Sequence, residues 1–220
     1  MFTSDELLRI LRKEFKIDRR DFIALMSKNP FELLVATVLS QNTNDKNSSR
    51  ALEELRRRIG TSPEDLAGAS EEEIAEAIRI AGLYRTKAKA LKKLAEEVMR
   101  RYSGNLERLL DMPVDEARKE LMSLPKVGEK TADVFLLFLG GKPTFPIDTH
   151  VRRVSKRMGI AEGSYEDIRR SLMKFFNPED YLEAHLLLIA LGRRYCRAKN
   201  PACDVCPLRD ICPKLIEERS

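Results

Sequence analysis

Helix punctuation runs from one end of this chain to the other, and it constrains the fold more than any other feature. Ser4 followed by Asp5 and Glu6 suits a helix start, with Leu7, Leu8 and Leu11 on its apolar face. Asn29-Pro30 opens a second segment, whose run Phe31, Leu33, Leu34, Val35, Val38 and Leu39 is too apolar for a surface helix and predicts a buried one. Asp45 to Ile59 is amphipathic and stopped by Gly60, and Ser70-Glu71-Glu72-Glu73 is a capping box for the segment that follows. After Ala81-Gly82-Leu83-Tyr84 a long basic helix runs to Arg101 and ends before Gly104. Later starts fall at Pro113, Glu129, Asp148, Ser164 and Pro178. Alternating strand patterns are nearly absent, so the expectation is an all-α fold of roughly ten helices, without a repeat period or a low-complexity linker.

Four cysteines occupy the tail as Cys196-x6-Cys203-x2-Cys206-x5-Cys212, and the chain has no others. Their short connecting loops lose little entropy on closing around one centre, which points to a soft metal site. The N-terminus lacks a basic stretch followed by an apolar run, and no segment approaches the about 18 apolar residues of a membrane span. The expectation is therefore a cytoplasmic protein without signal peptide or transmembrane segment, in a compartment where disulfides are rare. Spacing alone leaves zinc and a [4Fe-4S] cluster both open, because each accepts four thiolates.

Forty Lys and Arg stand against 35 Asp and Glu, a formal +5. The excess is modest and makes polyanions plausible partners without proving them; its distribution says more. Arg85, Lys87, Lys89, Lys92 and Lys93 cluster, as do Arg152, Arg153, Lys156 and Arg157, and then Arg193, Arg194, Arg197 and Lys199.

Leu124-Pro125-Lys126-Val127-Gly128-Glu129-Lys130-Thr131-Ala132 lies between two apolar-periodic segments and predicts a tight helical hairpin. Gly128 is read as the position free to take a positive φ, and backbone N–H groups left unpaired at the second helix start would bind an anion. A plain helix-helix turn explains the Pro and Gly equally well. Farther on, Asp148 of Ile147-Asp148-Thr149-His150-Val151 sits where a helix N-cap belongs. A lysine in the first turn of one helix and a carboxylate at the start of another would meet if both ends faced one groove.

The hairpin, the Asp148 segment and the terminal cysteines, in that order, resemble the endonuclease III family of helix-hairpin-helix DNA glycosylases with a terminal iron-sulfur loop. Asn29-Pro30-Phe31-Glu32-Leu33-Leu34 and Gly82-Leu83-Tyr84 extend the similarity. The resemblance implies a [4Fe-4S] cluster held by Cys196, Cys203, Cys206 and Cys212. It implies two helical lobes with DNA across the cleft: a six-helix lobe over 21–134 carrying the hairpin, and a lobe built from 1–20 and 135–220 carrying the cluster loop 196–212. It also implies a base-excision-repair glycosylase with abasic-site lyase activity, acting as a nucleoid-associated monomer on duplex DNA that carries a damaged, oxidised pyrimidine or an abasic site. Lys130 matches the family's catalytic lysine and Asp148 its catalytic aspartate. A same-fold enzyme for mismatched thymine, uracil or another lesion is the alternative, and a non-catalytic DNA-binding module is a further one.

Expected DNA contacts are Gln41 and Asn42, filling the space a flipped base leaves; Leu83, as a wedge; Lys126, Val127, Gly128 and Thr131 of the hairpin; and Arg193 and Arg197 beside the first cysteine. His150 is read as ordering its loop, and His185 as a core residue. The family usually has glycine where this chain has Lys126, so altered affinity is expected there rather than lost function. The pattern around Gln41 also departs from the better-known bacterial form, which leaves lesion preference open.

Overall fold

A computed structural model of the chain describes residues 2–18 and 22–216. In chain order its α-helices are α1 (Ser4–Glu14), α2 (Pro30–Ser40), α3 (Asp45–Arg58), α4 (Pro63–Gly68), α5 (Glu71–Ala77) and α6 (Tyr84–Tyr102). They continue as α7 (Arg108–Asp111), α8 (Val114–Met122), α9 (Glu129–Gly140), α10 (Thr149–Arg157), α11 (Tyr165–Phe175) and α12 (Tyr181–Arg194). No strand occurs among the described residues. Two helices exceed expectation. Pro63–Gly68 is started by a capping box between Ser62 and Asp65, and Arg108–Asp111 is a single turn without a side-chain cap.

The chain forms two compact units, one of Asp18–Lys142 and one combining Met1–Ile17 with Pro143–Ser220. The expected boundary at residue 134 falls inside α9, whose hydrogen bonding carries the first unit on to Lys142. Among its described residues that unit holds eight α-helices rather than six, because α4 and α7 are helical turns too short to leave a periodic signal. The other expected boundary, at residues 20 and 21, lies outside the described residues.

In the Asp18–Lys142 unit α2 is the central element. Asn29 accepts the Glu32 N–H, Pro30 takes the first turn, and the side chains from Phe31 to Leu39 are all buried. Glu32 is admitted to this interior because its carboxylate is fully partnered: Arg56 Nε at 2.6 Å and Nη2 at 2.9 Å, Thr61 Oγ1 at 2.7 Å and Lys28 N at 2.5 Å. Burial alone would raise this carboxyl, but those donors outweigh it and hold it below the usual range.

The other unit closes both chain ends together. Leu7, Leu8 and Leu11 of α1 are buried, and Arg12 reaches Asp180 at 2.9 Å and Glu183 at 2.6 Å beside α12. Phe145 stacks on Phe176 and meets Tyr181 edge-on, and His185 lies 6.1 Å from the same ring, buried as expected.

Candidate active site and metal centre

Helices α8 and α9 make the hairpin, clamped by Arg118 on the fully buried Asp133 at 2.8 Å. The turn differs from expectation in one respect: the left-handed residue is Lys126 (φ 63°), while Gly128 is extended (φ −99°, ψ −178°). Gly128 is the N-cap of α9, and no side chain caps that helix. A Cβ at Gly128 would meet nothing within 4 Å, so glycine is required by no contact within the protein. Its bare Cα leaves the uncapped N–H groups open to approach from outside. Lys130 lies half-buried in this first turn, and Thr131 behind it is buried. Val127 is a core residue, its N–H bonded to Leu124 O at 3.2 Å, and Lys126 is exposed.

Asp148 caps α10 with Oδ1 accepting the Val151 N–H at 2.7 Å, so the capping reading of this carboxylate holds; its second oxygen is not needed for that bond. His150 stands 3.0 Å from Arg153 Nη2, and burial pushes its imidazole down, towards the neutral form. It orders its surroundings: a Cβ on Gly192 of α12 would come within 2.8 Å of His150 Cβ, so the two helices cross where only glycine fits.

Two of the four basic residues on α10, Arg153 and Arg157, turn towards the cysteine loop, while Arg152 bonds Gly163 O and Lys156 pairs with Glu162. Arg153 donates to Cys196 O at 2.7 Å and Gly192 O at 3.0 Å; Arg157 donates to Arg197 O at 2.7 Å and Ala198 O at 3.2 Å, and reaches Cys196 Sγ at 3.5 Å. The loop is further tied by Cys196 N to Leu191 O, Ala202 N to Tyr195 O and Cys212 N to Leu208 O, each at 2.9 Å. All four cysteines are reduced thiols lining one pocket with Val154, Met158, Leu191 and Leu208. Four thiols around one pocket are the donor set that a [4Fe-4S] cluster takes. Burial pushes the Cys206 and Cys212 thiols up, the cost that binding iron as thiolate would offset.

Gln41 and Asn42 are exposed at the corner after α2, with Asn42 left-handed (φ 52°). Leu83 is left-handed too (φ 47°) and 61% exposed, the reverse of a core contact. Arg193 and Arg197 are exposed, and Arg197 donates to Asn200 O at 3.0 Å. Lys87, one of the clustered basic residues between Arg85 and Lys93, is buried, with its ammonium on Leu39 O, Ala81 O and Thr43 Oγ1. The helical period gives it away, since Lys87, Leu91, Leu94 and Val98 share one face.

Residues 35–178 match the HhH-GPD superfamily of base excision DNA repair proteins, and residues 196–212 match the iron-sulfur binding domain of endonuclease III. An endonuclease III of Sulfolobus acidocaldarius is 37% identical over 219 residues, with 96% of each chain covered. The chain belongs to the endonuclease III family. The Bacillus subtilis endonuclease III is 39% identical over 190 residues, covering 86% of this chain and 83% of that protein. Among solved structures, an endonuclease III trapped as a covalent intermediate with DNA superposes with a TM-score of 0.80 at 35% identity, covering 97% of each chain. A thermostable thymine-DNA glycosylase superposes at 0.76 over 94% of each chain, and at 24% identity it shows the shared fold alone. This endonuclease III relative is a base-excision-repair DNA glycosylase with abasic-site lyase activity, its partner is DNA and its cofactor is a [4Fe-4S] cluster. No helix among the described residues is long and apolar enough to cross a membrane.

Proposed function

We propose that Lys130 and Asp148 carry this chemistry on damaged, oxidised pyrimidines in duplex DNA, with the protein acting as a monomer at the nucleoid. The observation that carries the reading is the position of Lys130 in the first turn of α9, behind an uncapped helix start whose N-cap, Gly128, has no side chain in front of it. A DNA phosphate held by those N–H groups would bring the neighbouring sugar to the lysine.

Rotating the nucleotide out of the stack costs a few kcal/mol, least where the lesion pairs poorly. Lys130 Nζ, as the free amine, bonds to the deoxyribose C1′ while the C1′–N bond to the base breaks; the base leaves with those electrons and takes up a proton. The amine then loses a proton and the C1′–O4′ bond opens, O4′ taking up a proton, and the Schiff base so formed acidifies a C2′ proton. Its removal expels the 3′ phosphate by β-elimination, and water then frees the lysine, with no change of oxidation state. Asp148 keeps one oxygen on Val151 N–H, and its negative charge stabilises the cationic character that develops at the sugar. Cys196, Cys203, Cys206 and Cys212 would hold the cluster, which supplies a rigid core for the loop presenting Arg193 and Arg197. Leu83 and the Gln41-Asn42 corner contact the duplex, supported by the exposure of an apolar tip and by two left-handed corners.

Borohydride reduction during incubation with an abasic-site duplex tests the assignment. A covalent adduct is expected, and it disappears in Lys130→Ala; an adduct of unchanged yield in that variant sinks the lysine's role. Asp148→Asn is expected to slow base release by about 100-fold or more while changing duplex affinity little. Equal losses in rate and affinity would count against it. Iron near four per chain, with the corresponding visible absorbance, checks the four thiolates, and a set of duplexes each carrying one lesion checks the pyrimidine preference.

A further inference from the structure

Among the described residues Lys87 is the only buried lysine, and the chemistry assigned above does not use it. It faces inward from the first turn of α6 beside Ala88 and Leu91. Its ammonium donates to Leu39 O at 2.8 Å, Ala81 O at 2.9 Å and Thr43 Oγ1 at 2.7 Å, so each of its three protons has an acceptor. Thr43 Oγ1 in turn donates to Ala81 O.

The acceptors explain why a cation is buried here. Leu39 O belongs to the last turn of α2, and Ala81 O ends the 3-10 turn Arg79–Ala81. Carbonyls at helical C-termini lack intrahelical donors and carry partial negative charge, so one ammonium satisfies both ends together. Burial pushes this lysine down, and the three short bonds oppose that cost. An apolar side chain of the same length would strand Leu39 O and leave Ala81 O with the Thr43 hydroxyl alone.

Two corners leave this knot. Gln41-Asn42 departs just beyond Leu39, and Gly82-Leu83 departs just beyond Ala81; their tips, Asn42 and Leu83, are both left-handed and exposed. Lys87 also grips the second corner from its far side, because its backbone N–H bonds Leu83 O at 3.0 Å. One residue thus fixes both ends of the turn that raises Leu83 into solvent and ties that turn to the Gln41-Asn42 corner.

We propose that Lys87 is a positioning residue for base extrusion: it holds the two corners as one stiff edge against the duplex, so that Leu83 and Gln41-Asn42 engage a lesion together. The inference rests on the reading above that these corners contact DNA. Its consequence is selective. Taking a base out of a paired stack depends on the edge, whereas β-elimination at an abasic site in single-stranded DNA does not.

The experiment compares single-turnover base release from a duplex carrying one thymine glycol with β-elimination at an abasic site in single-stranded DNA. Lys87→Met is expected to slow the first by about tenfold or more and the second by less than about twofold. Leu83→Gly is expected to slow duplex base release on its own, and Lys87→Met with Leu83→Gly to be within about twofold of the slower single variant, because both act through one corner. Proportional loss in both reactions, or effects that multiply in the double variant, would make Lys87 a general structural residue and overturn the proposal. Unchanged duplex base release in Leu83→Gly would instead remove the DNA-contact reading, whatever Lys87→Met does, and the proposal with it. If Lys87→Met loses its helical circular dichroism, Thr43→Val decides: it removes the hydroxyl between Lys87 and Ala81 O but leaves the ammonium on both carbonyls, and must show the same selectivity at smaller amplitude, while a loss shared by both reactions, or none, overturns the assignment.

Discussion

Lys126 holds a left-handed backbone at φ 63°, a conformation that costs a non-glycine residue about 1–2 kcal/mol against about 0.5–1 kcal/mol of chain entropy for glycine. Lys126→Gly is therefore expected to raise the melting temperature by about 2 °C, and to make the salt dependence of duplex binding shallower by about one charge if the ammonium lies against a phosphate. Calorimetry and a salt titration check the two halves separately. Glu32 supports a pH prediction. Its carboxyl is held below its ordinary value of 4.5, so the stability it contributes is fully present above that value and is lost as pH falls through the lower folded value. Glu32→Gln should cost about 3 kcal/mol near pH 7, because it leaves Arg56 without its charge partner, and the gap to the parent should close on acidification. A gap independent of pH in denaturant melts would contradict this. Both sites show where reading by residue type runs out. Sequence pointed to Gly128 as the left-handed position because glycine tolerates it, yet the turn puts the strain two residues earlier and uses glycine for access.

Most of the helices that a capping side chain announced were legible. Asn29, Asn44, Ser70, Asp148 and Ser164 each accept a first-turn N–H at the expected place. The element at Pro63–Gly68 carried the same signal in Ser62 and Asp65 but offered too few residues for an apolar period, and Arg108–Asp111 offered neither. How helices cross was not legible, because a crossing depends on side chains distant in sequence. Gly192 on α12 and His150 on α10 are an instance. Gly192→Ala would place a Cβ 2.8 Å from His150 Cβ, which cannot swing away, and should cost about 1–3 kcal/mol. Since Asp148 heads α10 and Arg153 ties it to Gly192 O, base release should slow as well. A melting curve and a turnover assay on this variant check both; an unchanged melting temperature would mean that α10 and α12 separate at little cost.

At the scale of the molecule, the cysteine loop and the core of the Asp18–Lys142 unit are built from different residues. That core runs from Ile23 to Leu136 and includes none of the tail. Stripping the cluster should therefore leave most helical circular dichroism in place and open the first protease cuts within residues 196–212, as mass spectrometry of the fragments would show. General loss of helix on iron removal would contradict this. The unit that closes both chain ends has a further consequence for how the protein is made. Helix α1 precedes α12, against which it packs, by some 165 residues, which include the whole Asp18–Lys142 unit. At about 5–20 residues per second, Leu7, Leu8 and Leu11 wait about 8 to 33 seconds without their partner, an amphipathic segment open to chaperones during translation.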